Sequence, residues 1–447
     1  MITMKERFDS LYPEETRFSE IEKILSFAKE GNSCQVIGIP GTGRSNILGL
    51  LAYNRKVRIK HLGENQKKYH FVLLNFSEIR NRNPLDTLKF IFLGLLDSLK
   101  ERGMEKDYEA LNALFKESLS VSDELILFQS LKKAIDYLAI EKELNLILLF
   151  DRFDEYIPSL TSEFFANLRV LRNRAKYHFS VVFSLNRPLE EILEPLFFSD
   201  FYEFVAGRVV YLPIYDENGV SFRTSYLEKV TGKKIEKNTF TEILELTGGH
   251  VNLTRLCAEA VIANREEKIR EYKEFFLKQK YIRSALFGIF NSLTPSEELF
   301  LSSNINGVLT KNEGETTYLN NVGLVKEGKI TIPLLTEYIK EKVPNLQNTK
   351  IVYNQETNEI IKGDITISDS LTSSEFKLIA YFLSKPNVIL EREEIINSVW
   401  KENKTTEGVT NQALDQLIFR LRKKIEDDPN NPTHLQTVKG RGFKFVD

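Results

Sequence analysis

The sequence lacks the features that mark secreted, metal-clustered or membrane-embedded proteins. It has two cysteines, Cys34 and Cys257, which lie far apart and follow no metal-binding spacing. A disulfide framework is therefore not expected, and the pattern suits a reducing cytosol. The longest near-continuous apolar run, FIFLGLL at 90–96, is too short to cross a bilayer, and the N-terminal MITMKERFDS has no apolar core of a signal peptide. We expect a cytoplasmic protein with no membrane contact.

An excess of charge of one sign is also lacking. The 61 lysines and arginines nearly balance the 63 acidic residues, and the formal net charge is −2. Overall charge therefore gives no sign of nucleic-acid binding, and any such surface has to be local. The chain has 447 residues, of which 42% are hydrophobic and 28% charged, which is typical of a globular protein with two to four domains.

Five short apolar runs in the first half of the chain predict buried strands. Stretches long enough for helices separate them, so the alternation predicts an α/β domain with a parallel sheet covered on both faces. The runs are CQVIGI (34–39), FVLLNF (71–76), LILLF (146–150), SVVFSL (180–185) and VVYLP (209–213).

The remainder of the chain changes character twice. After residue 216 the pattern is helical, and residues 285–345 predict two helices, a hairpin with Gly328 at its turn, and a further helix. Residues 343–350, which contain Pro344, predict a linker. The last hundred residues predict short strands, three helices and a closing hairpin, which is an α+β module. The predicted domains are 1–215, 216–282, 283–345 and 350–447.

The stretch GIPGTGRSN at residues 38–46 nearly matches a phosphate-binding loop. It follows a predicted strand and opens a helix, which is where backbone N–H groups and a helix N-terminus bind phosphate. Arg44 stands where the motif has lysine, and Ser45 would offer its hydroxyl to Mg²⁺. A tight strand–helix turn without a ligand is the alternative. The candidate nucleotide-binding residues of the loop are Gly38, Pro40, Gly41, Thr42, Gly43, Arg44, Ser45 and Asn46.

A second acidic motif follows in LNLILLFDRFDEY. Asp151 ends a predicted strand and is a candidate ligand of Mg²⁺, with capping of the next helix as the alternative. Arg152 follows it, where ATPases that activate water commonly have glutamate, and Asp154 or Glu155 are the candidates for that catalytic role. These departures and Arg44 affect hydrolysis rather than binding. They predict a nucleotide switch with slow or absent turnover.

With these motifs, residues 15 to about 345 resemble the STAND and related AAA+ NTPases. FSEIEKILSFAKEG resembles the helix that precedes their first strand. FSLNRP resembles their sensor strand, which implies Asn186 or Arg187 as the sensor. The resemblance also implies bound ATP or ADP with Mg²⁺, a helical lid, and a winged helix that packs on the nucleotide domain.

Two further segments extend this resemblance. Pro213 lies in a segment that resembles the proline motif beside the adenine, and TGGHVNLTRL resembles a helix start that places His250 at the nucleotide. Val251 stands where that family often has proline. The alternative for His250 is helix punctuation, because Gly248-Gly249 would end one helix before the next begins.

The most specific signal is a helix and a hairpin near the C-terminus. Apolar residues from Leu414 to Ile425 fall on one stripe at helical spacing and predict a core-facing side. The opposite side presents groups that read base edges and hold phosphates, and the hairpin TVKGRGFKF carries basic residues. A solvated charged face is the alternative. The candidate DNA-binding residues are Gln412, Gln416, Arg420, Lys423, Thr437, Lys439 and Arg441.

From about Ile351 to Asp447 the chain resembles the OmpR/PhoB-type winged helix-turn-helix DNA-binding domain. The segments LTSSEFKLIAYFLSKPNVILEREEIINSVW, LRKKIE and TVKGRGFKF carry the resemblance. It implies that Gln416 and Arg420 enter the major groove, and that Thr437 and Lys439 meet the DNA backbone or minor groove. Phe419 stands where the family often has a basic residue, so base preference stays open. In phosphorelay regulators a receiver domain precedes this module, and here an NTPase takes its place.

Together these features predict a cytoplasmic, nucleotide-switched transcriptional regulator that binds double-stranded DNA and in which the bound nucleotide sets the pose of the winged helices or favours homo-oligomers. Three alternatives stay open. They are a STAND-type defence sensor that oligomerises on a foreign ligand, an initiator-like ATPase, and a nucleotide-free scaffold.

Overall fold

The buried apolar runs form a parallel sheet, as predicted. The computed structural model describes residues 7–119, 123–264, 269–303, 313–347, 351–354, 357–362, 365–400, 411–426, 429, 432–438 and 440–446. The strands of the sheet are β1 (Cys34–Ile37), β2 (Tyr69–Asn75), β3 (Asn145–Asp151), β4 (Phe179–Leu185) and β5 (Val209–Tyr211). Across these described residues the order is β2-β3-β4-β1-β5, and every neighbouring pair is parallel. The predicted α/β fold class is confirmed.

Helices connect the strands and cover the sheet. The helices up to β5 are α1 (Phe18–Lys29), α2 (Arg44–Tyr53), α3 (Arg55–Leu62), α4 (Pro84–Glu101), α5 (Glu105–Leu119), α6 (Glu124–Asp136), α7 (Ser162–Ala175), α8 (Leu189–Ile192) and α9 (Pro195–Val205). Every residue of β1 and β4 is buried, because helices lie over both faces of the central strands.

Amphipathic spacing explains how α1 and α2 are held. The residues Ile21, Ile24 and Leu25 recur at helical spacing on α1 and are at most 1% exposed. They share one core with the apolar residues of α2 and with Val36 of β1. Each fully buried aliphatic side chain contributes about 1.5–3 kcal/mol to stability, so this packing fixes α2 and the loop before it.

After β5 the chain is mainly helical, as predicted. The elements are α10 (Glu217–Thr231), α11 (Lys237–Thr247), α12 (Val251–Ala263), α13 (Tyr272–Lys278), α14 (Lys280–Phe290), α15 (Pro295–Ser303), α16 (Glu313–Asn321), β6 (Val325–Lys326), β7 (Lys329–Ile330) and α17 (Pro333–Gln347). β6 and β7 form an antiparallel hairpin. Its turn has Glu327 and Gly328 at φ 51° and 70°, which agrees with the predicted turn.

The predicted linker at 343–350 is partly wrong. α17 continues through Pro344 to Gln347, and residues 348–350 lie outside the described residues. A proline inside a helix removes one backbone hydrogen-bond donor, which kinks a helix in some proteins and ends it in others, so its presence did not fix the boundary.

The chain divides into two compact units, Met1–Tyr338 and Ile339–Asp447, which we call the first and second units. The second unit contains, after the end of α17, β8 (Ile351–Asn354), β9 (Glu359–Lys362), β10 (Ile365–Thr366), α18 (Ser373–Ser384), β11 (Ile389–Leu390), α19 (Arg392–Val399), α20 (Asn411–Ile425), β12 (Leu435–Val438) and β13 (Gly442–Phe445). The predicted strands, helices and closing hairpin are present. β11 was not predicted, because its two residues are too few to show a period, and it pairs with β13.

One core holds the second unit together. The predicted apolar stripe of α20 is buried to between 0 and 2% exposure and packs with residues of α18, α19, β12 and β13. α18 begins at a capping box in which Thr372 and Glu375 bond each other's backbone. The stripe on α20 is therefore committed to the core, and its other side is left to solvent.

Candidate nucleotide site and DNA-binding surface

The predicted phosphate loop lies between β1 and the start of α2. Gly41 and Gly43 have φ values of 88° and 100°, a region that favours glycine. A Cβ at Gly41 would lie 2.7 Å from the His250 ring, so packing requires glycine there. A Cβ at Gly43 would meet only Asn46, at 3.8 Å, so this part of the loop faces open space. This open side of Gly43 lies at the N-terminus of α2, which is where a loop of this kind binds phosphate.

Three groups from outside the loop hold its carbonyl oxygens. The Arg17 guanidinium donates to Thr42 O at 2.7 Å and to Pro213 O at 2.9 Å. The backbone N–H of Asn252 donates to Gly41 O at 3.1 Å. Arg17 is only 4% exposed, so this is a buried fastening of the loop to the Pro213 segment. Arg17 was not predicted, because a single arginine before a helix carries no motif.

The third group is His250, which caps α12 beneath the loop. Its Nδ1 accepts from Leu253 N at 3.2 Å, and its Nε2 lies 3.0 Å from Pro40 O. The ring is therefore neutral, with the proton on Nε2 donated to Pro40. Burial lowers the pKa of His250 to about 4. The predicted proximity to the loop is observed, and so is the helix-capping alternative, since Gly248 and Gly249 have positive φ at the helix junction.

Ser45 and Asp151 meet at the start of α2 and the end of β3. The Ser45 hydroxyl donates to Asp151 Oδ1 at 2.9 Å, and the Arg152 N–H donates to the same oxygen at 3.0 Å. Burial raises the pKa of Asp151, while the Ser45 bond opposes that rise. Hydroxyl and carboxylate oxygens are hard ligands of the kind that Mg²⁺ takes together with nucleotide phosphates. These two residues therefore fit the predicted metal site.

Arg44 is already engaged by protein groups. Its guanidinium donates to Asn186 Oδ1 at 2.7 Å and lies 3.4 Å from Asp154 Oδ1. The Asn186 amide donates in turn to Asp154. The structure thus brings the predicted sensor Asn186 and the candidate catalytic Asp154 to the loop arginine. The guanidinium spans both partners because it offers several donors in a fixed plane.

The other predicted residues of this site differ in how near they lie to the loop. Glu155 pairs with Arg80 and lies 3.5 Å from Arg152. Asn46 donates to Asp9 Oδ1 at 3.0 Å rather than facing the loop opening. Pro213 is exposed and is tied to the loop through Arg17.

Arg187, the second predicted sensor, holds the segment after α14. Its guanidinium pairs with Glu297 and with Glu191, and it lies 4.0 Å from the centre of the Tyr318 ring. The Tyr318 hydroxyl donates to Asn186 O at 2.7 Å. Tyr318 was not predicted, because no motif singles it out. The end of β4 is thus linked both to the phosphate loop and to α16.

The polar face of α20 is exposed as predicted. Gln416, Arg420 and Lys423 are exposed on the side opposite the core, and Phe419 between them is 42% exposed. The Lys423 ammonium lies 4.8 Å from the centre of the Phe419 ring. Gln412 belongs to this helix, but its side chain lies outside the described residues. The face offers hydrogen-bond donors, an amide and an aromatic edge on one surface.

The hairpin of β12 and β13 is the predicted wing. Thr437 and Arg441 are exposed on it, while Lys439 lies outside the described residues. Gly442 has φ 128°, and a Cβ there would lie 2.1 Å from Leu390 O. Only glycine therefore lets β13 pass this close to β11.

Two side chains that were not predicted to have a role fasten the wing to α20. Arg422 donates to Leu435 O and to Thr437 Oγ1, each at 2.8 Å. Glu426, which is 7% exposed, accepts from the backbone N–H groups of Thr433, His434 and Leu435 at 2.7 to 3.1 Å. Their positions in LRKKIE matched the predicted family pattern, but a buried glutamate cannot be told from a surface one by sequence.

Comparison with known proteins supports this description of the second unit. Residues 369–445 match the family described as "Transcriptional regulatory protein, C terminal". The regulatory protein VirG of Rhizobium rhizogenes is 40% identical over 75 residues, which are 17% of this chain and 30% of that protein. The transcriptional regulatory protein YvrH of Bacillus subtilis is 33% identical over 94 residues, which are 21% of this chain and 38% of that protein. The predicted OmpR/PhoB-type DNA-binding domain is confirmed.

The chain spans about a third of the length of these relatives, 30% of one and 38% of the other, and the match is confined to the second unit. Two solved structures are similar over more of the chain. A Walker-type ATPase of Pyrococcus abyssi has a TM-score of 0.48 and 13% identity, covering 76% of this chain and 99% of that one. The ORC1 protein of Aeropyrum pernix, in complex with DNA, has a TM-score of 0.37 and 13% identity, covering 86% of this chain and 92% of that one. The ATPase-like fold of the first unit is given by its strand order and phosphate loop.

Membrane spans and clustered metal ligands are both absent from the described residues. No helix there has the length and apolar composition needed to span a bilayer. The same residues contain no group of three histidine, cysteine or acidic side chains placed to hold a metal. A magnesium ion at Ser45 and Asp151 would thus take its remaining ligands from nucleotide and water, as such ions usually do.

Proposed function

We propose that this protein is a transcriptional regulator whose binding to double-stranded DNA is switched by a nucleotide held in the first unit. The observation that carries the proposal is the exposed polar face of α20 within a unit of the DNA-binding family. The helix presents this face on the side that the core leaves free. A phosphate loop with a fitting metal site, on the same chain, supplies the means of control.

In this proposal the second unit reads DNA in two ways. Gln416 and Arg420 contact base edges in the major groove, because an amide and a guanidinium match the donor and acceptor patterns of purines. Lys423, Thr437 and Arg441 contact the phosphate backbone and fix the register. Gln412 and Lys439 belong to the same predicted surface.

The nucleotide of this proposal is ATP or ADP, with Mg²⁺ at Ser45 and Asp151. The open side of Gly43 and the 2.9 Å bond between the two metal-site residues support it. Hydrolysis is slow or absent, since Arg44 is committed to Asn186 and Asp154, and Glu155 is paired with Arg80. Two candidate bases are thus neutralised by partners.

The proposed switching follows the resemblance of the first unit to STAND NTPases, with the bound nucleotide setting the pose of the winged helices. The Arg187–Tyr318 contact joins the nucleotide core to α16, so a nucleotide that displaces Asn186 from Arg44 would disturb that contact. A ligand shifts the balance of two states only by binding them unequally. We propose that the protein acts in the cytoplasm and that the nucleotide state also controls homo-oligomers.

Replacement of Arg420 tests the DNA-binding part of the proposal. A binding selection on random duplexes should first yield a preferred sequence for the full-length protein. The Arg420→Ala variant should then bind that sequence about 1–3 kcal/mol more weakly and lose preference at one position. Lys377, exposed on α18, provides the control, and Lys377→Ala should keep affinity and preference. An unchanged footprint for Arg420→Ala would remove that residue from the reading surface.

A second measurement tests nucleotide binding. Titration calorimetry of the full-length protein should show binding of Mg-ATP, and Ser45→Ala should weaken it because the variant lacks one metal ligand. Absence of any binding to the wild type would refute the switch and leave a DNA-binding protein with a nucleotide-free scaffold. Ligand-driven assembly without sequence-selective DNA binding would favour the oligomerising sensor instead.

A further inference from the structure

A cleft of about 680 Å³ lies in the first unit, between α2 and α4 and above β2. Ser45, Gly49 and Tyr53, spaced one turn apart, line it from α2, and Asp97 and Ser98 line it from α4. This volume is within the range of small-molecule sites, which is about 300–1,000 Å³. Ser45 and Asp151 of the proposed metal site are among the lining residues, and Gly49, Ala52 and Tyr53 continue the wall along α2.

Three arginines line this cleft. Arg7 pairs with Glu101, while the backbone anchors the other two, Arg58 and Arg102, each through one nitrogen. Arg58 Nη1 donates to Leu51 O at 3.0 Å and to Ala52 O at 2.7 Å, at the end of α2. Arg102 Nη1 donates to Tyr69 O at 2.6 Å and lies 3.1 Å from the ring of His70. Within the described part of the chain, the Nη2 atoms of both groups have no protein partner.

No carboxylate of the described residues pairs with either arginine, and the Nε of Arg58 is buried without a hydrogen bond. Burial and the neighbouring Arg102 lower the pKa of Arg58 to about 10. His70 beside them is neutral, because burial lowers its pKa to about 3, so the charge at this place comes from the two arginines. Two like charges held in one partly buried cleft are costly unless an anion joins them.

Five carboxylates also line the cleft, and three of them, Asp9, Asp97 and Glu101, lie around Tyr53. Burial, followed by Glu101 and the other two carboxylates, raises the pKa of Tyr53 to about 12. The remaining two are Asp151, at the end of β3, and Glu78, after β2. Glu101 is paired with Arg7, which also lies over the Tyr53 ring at 4.1 Å. Asp97 faces the same region from α4. One part of the cleft thus offers cations, and another offers acceptors for hydroxyl or amino groups.

We propose that this cleft binds a small molecule that carries a phosphate group, with Arg58 and Arg102 as the anion-binding residues. A phosphate monoester with two negative charges neutralises two guanidinium groups, whereas a carboxylate neutralises only one. Each guanidinium also has N–H donors left to bind the phosphate oxygens. Hydroxyl or amino groups of the same molecule would meet Asp97 near Tyr53. Residues of α2 from Ser45 to Tyr53 line the cleft. A molecule bound there would therefore contact the helix that directly follows the phosphate loop. This effector site goes beyond the proposed function, and does not depend on nucleotide binding.

Inorganic phosphate serves as the probe, used on the full-length protein at constant ionic strength. At ten times its dissociation constant, phosphate should raise the midpoint of thermal unfolding by about 2 °C relative to chloride, and acetate should raise it less. Arg58→Gln and Arg102→Gln should each abolish the shift. Arg55→Gln is the matched control, since Arg55 is exposed on α3 outside the cleft and should leave the shift intact.

A chemical footprint on the wild type covers the case in which a variant does not fold. Phosphate should protect Arg58 and Arg102 from phenylglyoxal, mapped by mass spectrometry, while Arg55 stays reactive. A phosphate effect that survives Arg102→Gln but is absent in Arg44→Ala would place the anion at the phosphate loop, which overturns this inference and leaves the nucleotide proposal standing. No effect of phosphate on the wild type, in either measurement, would also overturn it.

Discussion

Arg44 is the residue whose chemistry most distinguishes this phosphate loop. It keeps the positive charge that the loop motif requires, but its planar group is already bonded to Asn186 and lies near Asp154. Lysine at this position would offer a compact charge that cannot hold both partners. A nucleotide phosphate would therefore have to compete with Asn186 and Asp154 for the Arg44 guanidinium.

Restoring lysine should strengthen nucleotide binding. Arg44→Lys removes one of the two internal partners, and we expect Mg-ATP affinity to rise about tenfold, which corresponds to about 1.4 kcal/mol. Titration calorimetry of wild type and variant gives the comparison, with Arg55→Lys as a control for an exposed arginine on the following helix. Weaker binding in Arg44→Lys would show that the guanidinium itself contacts phosphate.

His250 gives the first unit a measurable dependence on pH. Its pKa is about 4 in the folded protein and about 6.5 when unfolded, so between these values the unfolded state holds the extra proton. Stability therefore falls as pH is lowered from about 6.5 to about 4, by up to about 1.4 kcal/mol per pH unit, and is unaffected by this group above that window.

A His250→Gln variant isolates this effect. Glutamine keeps a donor toward Pro40 and does not titrate, so the variant's stability should change less steeply between pH 5 and pH 7 than that of the wild type. Denaturant unfolding followed by circular dichroism at the two pH values measures the difference. His70 is present in both proteins, so its contribution to the pH dependence of stability cancels in the comparison. Equal slopes would mean that His250 is not held neutral beneath the loop.

The conformation of the wing depends on one glycine. Gly442 combines a positive φ with a close approach to the backbone of β11. Gly440 has a positive φ of 75°, but no neighbouring atom lies within 4 Å of the place that an alanine Cβ would take there. Substitution of Gly440 therefore tests the cost of the positive φ alone, and substitution of Gly442 tests that cost together with the steric clash.

Alanine at these positions should destabilise the second unit to different degrees. Gly442→Ala should lower its unfolding free energy by at least about 2 kcal/mol, and Gly440→Ala by about 1 kcal/mol. Trp400 is the chain's single tryptophan and packs on the core of this unit, so its fluorescence reports on the right transition. Equal destabilisation by the two substitutions would show that the contact with Leu390 relaxes without cost.

Elements with a clear period or punctuation were predictable from sequence. The five buried strands, the Gly328 turn and the stripe on α20 each follow from local patterns, and Asp151 was located because a strand ends there. The partners of these residues were not predictable. Arg17, Tyr318 and Arg422 act through contacts with segments distant in sequence, which no local pattern encodes. Likewise, Pro344 predicted a break that the helix does not make.

In the proposed function, nucleotide binding in the first unit is coupled to DNA binding by the second unit. By thermodynamic linkage, Mg-ATP and operator DNA must change each other's affinity by the same factor. We expect a factor of about 5 to 150 for wild type, which is the usual range of such coupling, and a factor near one for Ser45→Ala. Fluorescence anisotropy with labelled operator, with and without Mg-ATP, measures it. If Mg-ATP leaves the DNA affinity of the wild type unchanged, nucleotide binding and DNA binding are not coupled.

DNA binding by the full-length protein should also weaken with salt. The chain carries a net charge of −2, so attraction to DNA rests on the local cations of α20 and the wing. Removal of one cation that binds a phosphate, as in Lys423→Ala or Arg441→Ala, should reduce the slope of log affinity against log salt by about one. Arg420→Ala should change sequence preference more than this slope, and the opposite pattern would assign Arg420 to the backbone.

Glu426 and Arg422 fasten the wing to α20 so that both move as a single body. The spacing between the groups proposed to contact base edges and those proposed to contact the DNA backbone is then set by the protein. An inserted base pair displaces the two sets of contacts by about 3.4 Å along the duplex and also rotates them. We therefore expect each half-site to have an invariant length, and any adjustment between protein and operator to come from bending of the DNA.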